Sequence, residues 1–221
     1  MNKRIYALFL LPILAMACSL ANGSRSVEGS GISASESRSL KTFTSIEIKS
    51  SADVTVTFGE TQSVTVETDD NILSLVETNV QGGKLVIGQP IGTDLNPKLG
   101  VRITIVMKSL EEAIISGSGT MSISGLDTDL VRFSIPGSGD IVAEGTVDTV
   151  NARINGSGTI LCGDLQAKTA EARIDGSGDI TVFATESLTA NISGSGTVVY
   201  RGNPAQVERS VTGSGNIISK P

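Results

Sequence analysis

Ile154-Asn155-Gly156-Ser157-Gly158-Thr159-Ile160 is the stretch on which the fold turns, because the chain repeats its pattern six times. Gly-Ser-Gly stands at 117–119, 137–139, 156–158, 176–178, 194–196 and 213–215, at successive offsets of 20, 19, 20, 18 and 19 residues. Self-similarity at such a period marks a stacked repeat. Two residues before each triplet stand Ile115, Ile135, Ile154, Ile174, Ile192 and Val211; four before it stand Ala113, Phe133, Ala152, Ala172, Ala190 and Arg209. The residues between are mainly polar, as with Arg132 and Ser134, Asn151 and Arg153, or Glu171 and Arg173. This period-two alternation predicts a half-buried strand that ends at each corner. Beyond the corner a Thr, Asp or Asn precedes Met121, Ile141, Ile160, Ile180, Val198 or Ile217, which opens a second strand. A looser turn then leads to the next unit.

A hairpin array would carry turn signals at both connections of every unit, whereas only the Gly-Ser-Gly corner recurs. The pattern therefore predicts an all-β fold, a parallel β-helix (solenoid) with about 19-residue coils, in which equivalent residues stack at about 4.8 Å. A β-sandwich or β-prism is the competing architecture. Stacking would set Asp140 and Asp179 on either side of Thr159, about 10 Å apart and near the Debye length, which softens their repulsion.

The N-terminal coils are expected to be irregular. Ile46 to Val54 repeats the unit with Ser50-Ser51-Ala52 in place of Gly-Ser-Gly, and Val64 to Ile72 follows as a further weak copy about 18 residues on. Val80–Ile87 and Val101–Val106 read as two strand segments, and 89–100, with Pro90 and Pro97, as a loop. A stack must shield both ends. At the far end Arg209, in an inward register, and Lys220-Pro221 read as edge protection.

Ahead of the repeats, Lys3-Arg4, an apolar run from Ile5 to Ala17 and then Cys18 describe an export signal too short to span a bilayer well. Leu14-Ala15-Met16-Ala17-Cys18 is similar to the lipobox of bacterial lipoproteins, in which the Cys is acylated. Leu14 stands four residues before Cys18 rather than three, and Ala15-Met16-Ala17 equally suits an ordinary signal peptidase, so lipidation and simple secretion are both open. The expected organisation is a signal at 1–17, a flexible Ser/Gly-rich tether at 18–40 reaching roughly 26 Å, and the β-helix at 41–221.

The lipobox-like start, the Arg38 to Phe43-Thr44-Ser45-Ile46 entry, the Ser50-Ser51-Ala52-Asp53-Val54 corner and the iterated Ile-x-Gly-Ser-Gly-[Thr/Asp/Asn]-Ile units resemble the bacterial putative auto-transporter adhesin, head GIN domain family. The resemblance covers about residues 40–218. It implies a β-helical envelope protein, often a lipoprotein, and it carries over no catalytic residues.

Composition narrows the chemistry further. The 221 residues include no His and no Trp, two Cys, 3% aromatic residues and a net charge of −6. Without His there is no Ser/His/Asp or Cys/His triad and no His-ligated zinc. The acidic balance lacks the basic footprint that nucleic acid requires. Asp175-Gly-Ser-Gly-Asp179 echoes the middle of an EF-hand loop, but that alignment puts Arg173 at the first ligand position and Ala184 at the bidentate one, so no metal site is expected. The Gly-Ser-Gly corners open no helix and precede no Gly-Lys-Ser/Thr, which argues against a phosphate cradle. Cys162 reads as a buried core thiol; acylation of Cys18 would leave it no intramolecular partner.

Three functional readings remain. The first is a non-enzymatic envelope protein, lipid-anchored through Cys18, in the outer membrane or otherwise periplasmic or secreted. It would act in adhesion or as a scaffold and bind a protein or glycan without a cofactor. The second is a carbohydrate-active β-helix enzyme using Arg153, Glu171 and Arg173. Against it, Phe133 and Tyr200 point inward, leaving few rings for an extended glycan groove. The third is self-association through coil edges. Of the outward positions Ser122, Val142, Leu161, Thr181, Val199 and Ile218, four are apolar. Val142, Leu161, Val199 and Ile218 are thus the candidate partner-facing stripe, unless loop 89–100, the tether or a bulge hides them.

Overall fold

A computed structural model describes residues 25–220, and its body is a β-solenoid of about 5 turns. The signal and Cys18 lie outside the described residues. Three long strands, Thr120–Ile135, Asp140–Ile154 and Thr159–Gly176, each start after one corner and run to the next. They pair in parallel, with Ile135 on Ile154 and Ile154 on Ile174. Asp179–Phe183 and Ser187–Gly194 continue the stack, followed by Thr197–Arg201, Gln206–Gly213 and Asn216–Ser219. The looser turn expected within each unit is, in the early coils, a bulge inside one continuous strand. The register shifts between Ile123 and Leu126, where Gly125 takes φ 76°.

Parallel stacking turns the sequence repeat into ladders of like side chains. Ile115, Ile135, Ile154, Ile174 and Ile192 are all buried, and burying one such side chain contributes about 1.5–3 kcal/mol. The bulky Phe133 is accommodated between Ala113 and Ala152. Cys162 is a buried, reduced thiol stacked on Val182, and burial pushes its ionisation well above the ordinary thiol range. Asp140, Thr159 and Asp179 form one ladder with the threonine between the two carboxylates.

The corners explain the glycines. The central serine N–H of each corner bonds to the corner beneath, as Ser157 N–H does to the Gly137 carbonyl at 3.2 Å. A Cβ on the second glycine of a triplet would meet the carbonyl below, at 2.1 Å for Gly158 over Gly139. Ser50-Ser51-Ala52 lies under Gly117-Ser118-Gly119 as the weakened copy predicts, and its two serines line a polar groove rather than covering another corner. The weakened triplet therefore marks the end of the corner stack.

Below that coil the chain departs from the simple repeat. Val64 to Ile72 is not a further coil: Ser63–Asp69 runs antiparallel to Arg102–Met107 and leads into one helical turn, Asp70–Leu73. Val80 to Ile87 is a hairpin, Glu77–Gln81 against Lys84–Gly88, turned at Gly82-Gly83 with both φ positive. Loop 89–100 holds a short strand, Thr93–Asn96.

The tether reading fails from residue 25 onward. Arg25–Glu28 pairs with Thr93–Asn96, and Ser33–Ser37 pairs antiparallel with Ser63–Asp69. Between them, the buried Asp69 carboxylate accepts the Gly31 N–H at 2.5 Å and the Leu99 N–H at 3.1 Å. Burial opposes ionisation, but the Leu99 and Gly31 donors prevail and hold the carboxyl below the usual range. Ser30 bonds Asn71 and Asp70 beside it. Because the shift is downward, the clamp contributes fully above the unfolded pKa near 3.9 and is lost as pH falls through the folded value. Asp69→Ala is expected to speed amide exchange of residues 30–37 roughly tenfold at neutral pH while sparing 150–175. Unchanged exchange in 30–37 would refute the clamp.

Candidate partner-binding face

Val142, Leu161, Thr181, Val199 and Ile218 form one ladder on the outside of the second strands, joined across four consecutive strand pairs. Val142 is 41% exposed, Leu161 44% and Ile218 43%; Val199 and Thr181 are half-buried. The register places these side chains outward because Ile141, Ile160, Ile180 and Val198 beside them point into the core. Among the described residues neither suspected cover lies across them: loop 89–100 pairs with Arg25–Glu28 instead. The bulges fall after Val142 and do not turn the file inward. From Val142 to Val199 its backbone is paired on both sides, with Ile218 on the terminal strand paired on one, so it presents a preformed surface.

The polar outer face of the first strands is organised differently. Arg153 pairs with Arg173 across neighbouring coils, and Asp175 serves both. Arg173 donates from Nε at 2.8 Å and from Nη2 at 3.0 Å to its two oxygens, while Arg153 donates from Nη2 at 3.0 Å. The Arg173 hydrogen bond holds the Asp175 carboxyl below the usual range despite partial desolvation, and the same pairing raises Arg173. A carboxylate held in this way is a weak base. Glu171 lies on the adjacent ladder with Asn151, so the three residues singled out for catalysis are neighbours, with the arginines committed to Asp175.

A hollow of about 670 Å3 opens where the corner stack ends. Ser50, Ser51 and Ser118 line it together with Asn79, Gln81 and Asp94. Only the fold brings these polar groups together. No motif announced them beyond the Ser-Ser-Ala substitution itself.

Residues 42–204 match the family model described as putative auto-transporter adhesin, head GIN domain. The chain belongs to that family. Among solved structures, this head GIN domain is similar to a putative adhesin from Bacteroides fragilis. The two are 25% identical with a TM-score of 0.75, covering 88% of this chain and 100% of that one. A putative lipid binding protein from Parabacteroides distasonis, 24% identical with a TM-score of 0.61, covers 89% and 100%. A putative adhesin from the same species, 22% identical with a TM-score of 0.56, covers 88% and 100%. The last two likenesses speak for the fold alone. Nothing among curated proteins matches the sequence. Family membership makes the head GIN domain one of adhesin type, and the solenoid predicted from its corners is the fold these relatives share.

Proposed function

We propose that this head GIN domain is a non-catalytic envelope adhesin, tethered by a lipid on Cys18, that binds a surface partner through the face carrying Val142, Leu161, Val199 and Ile218. The observation that carries the reading is the outward file, apolar at four of its five positions and interrupted only by Thr181, with Val142, Leu161 and Ile218 exposed and no cover among the described residues. The family's adhesin type and the similar fold of an adhesin-named protein support it. Arginines locked onto Asp175 favour a binding surface over a catalytic one.

Leu161→Asp places a charge at the centre of the file without touching the core. It is expected to weaken binding of the purified chain to glycan or envelope-protein arrays at least tenfold, the loss typical of a central contact, with unchanged thermal unfolding. Equal binding by variant and wild type would sink the proposed face. The anchor is tested separately by mass spectrometry of the mature N-terminus. A diacylglyceryl Cys18 is expected; an unmodified Cys18 or a terminus at Ser19 would exclude it.

A further inference from the structure

Phe183 is out of place among the rings of this chain. Of the described aromatics, Phe43, Phe133 and Tyr200 are buried and Phe58 packs on the core. Phe183 belongs neither to that core nor to the half-buried side chains packed against it. It stands two residues beyond Thr181, and by strand alternation it shares the outward face of the apolar file. Arg201 pairs with it directly on the next coil, two residues beyond Val199. A hollow of about 660 Å3 opens over this spot, lined by Asp164, Gln166, Phe183, Arg201, Asn203 and Lys220. That volume lies within the roughly 300–1,000 Å3 of small-molecule sites.

Two glycines shape it. Gly163 lies under the Arg201 guanidinium, and a Cβ there would come within 3.3 Å of Nη1. Gly202, at φ +93°, lets the chain pass against the ring, because a Cβ would meet Phe183 Cε1 at 3.0 Å and the Ala184 carbonyl at 2.3 Å. The polar groups are loosely engaged. Arg201 Nη1 approaches Asp164 Oδ1 only to 4.0 Å, with the Asp164 side chain largely in solvent and that of Arg201 partly so. The guanidinium therefore keeps donors free and the carboxylate keeps acceptors free. Asn203, in the left-handed region at φ 60°, adds an amide at the rim.

The geometry points to a seat for a pyranose sugar, with Phe183 as the platform and Arg201, Asp164, Gln166 and Asn203 as partners of its hydroxyls. A pyranose presents a face of polarised C–H groups and a rim of vicinal hydroxyls that each donate and accept. The electron-rich face of a ring attracts such C–H groups. A guanidinium fork, a carboxylate and two carboxamides match pairs of hydroxyls in donor and acceptor count. A purely apolar ligand would leave these groups unpaired, and a simple anion would not use the ring. The seat adjoins the apolar file, so a glycan held here extends naturally across Thr181 and Val199. The assignment rests on the adhesion reading and names the chemistry of the partner.

The test is direct titration of the purified full chain with methyl pyranosides of glucose, galactose, N-acetylglucosamine and glucuronic acid, followed by amide NMR. Binding in roughly the millimolar range expected of a single ring should move the amides of Gly163, Gly202 and Asn203. Phe183→Ala should weaken it at least tenfold, Phe183→Trp should restore it, and Lys108→Gln, a change at an exposed side chain outside both the file and the seat, should leave it unchanged. A preference for glucuronide that disappears in Arg201→Gln would identify an acidic sugar; equal affinities would identify a neutral one. If arrays bind the chain but no pyranoside moves these amides, the seat is wrong and adhesion survives. If the pyranosides bind at the seat and no array component is captured, the adhesion reading falls instead.

Discussion

Gly156→Ala is expected to destabilise the solenoid by about 3 kcal/mol or more, a large share of a typical domain's 5–15 kcal/mol. The cause is spacing between backbones. A Cβ on Gly156 would lie 2.0 Å from the Gly137 carbonyl oxygen and 3.1 Å from that of Pro136. Neither atom belongs to a side chain that can swing away. Relief requires the coils to part, which stretches the bonds from Ser157 N–H to Gly137 and from Ser177 N–H to Gly156. Gly176 sits on Gly156 in the same way, so the strain passes to the next corner. Gly88→Ala is the control: its nearest contact is Lys49 Cβ at 3.9 Å, and its φ lies outside the left-handed region. It should change stability by no more than about 0.5 kcal/mol, or add slightly to it by restricting the unfolded chain. Urea denaturation of the two variants decides the matter; equal midpoints would mean that the corners are not stacked as described.

Arg209→Val is expected to convert a protected end into an adhesive one. Gln206–Gly213 and Asn216–Ser219 form the last described coil, and no further described strand pairs their outer edges. In the inward register Val207 is 39% exposed and Val211 44%, where equivalent residues one coil earlier are buried. Arg209 stands between them over Ala190. It donates to the Tyr200 hydroxyl, with its guanidinium 5.0 Å from the ring centroid. The side chain thus covers the core while setting a charge where another strand would have to dock, a recurrent defence of β edges. Valine removes that charge and completes an apolar row on an unpaired edge. The association constant between chains should rise at least tenfold, as burial of one such side chain allows. Sedimentation velocity should then show concentration-dependent larger species, while Arg209→Lys should sediment like the wild type. A variant that sediments unchanged at high concentration would show that Arg209 guards nothing. The same arrangement weighs against self-association as the native role.

How much of this was readable depended on whether a residue's constraint was local or came from another coil. Ile154 and its equivalents declared themselves because the same environment recurs about every 19 residues, and Ser50-Ser51-Ala52 declared the end of the stack by losing its glycines. Val64 to Ile72 misled, since alternation specifies a strand and a buried face but not whether its neighbour runs parallel or antiparallel. Ser33–Ser37 misled in the other direction. As a polar edge strand it is held by backbone pairing and by the Asp69 clamp, neither of which leaves a hydrophobic period.

The candidate binding face divides along the same line. Alternation alone placed Val142, Leu161, Val199 and Ile218 on the outside, and the structure found them there in one ladder. Their exposure was settled only when loop 89–100 paired with Arg25–Glu28, a contact between segments more than sixty residues apart. Asp164, Phe183 and Arg201 come from three successive coils, and no spacing in the chain couples them until strand register does. A one-dimensional repeat can encode its own period, its core and its corners, because each coil meets another much like itself. The ends of the stack and the hollows on its surface arise where unlike segments meet, so folding in three dimensions had to decide them.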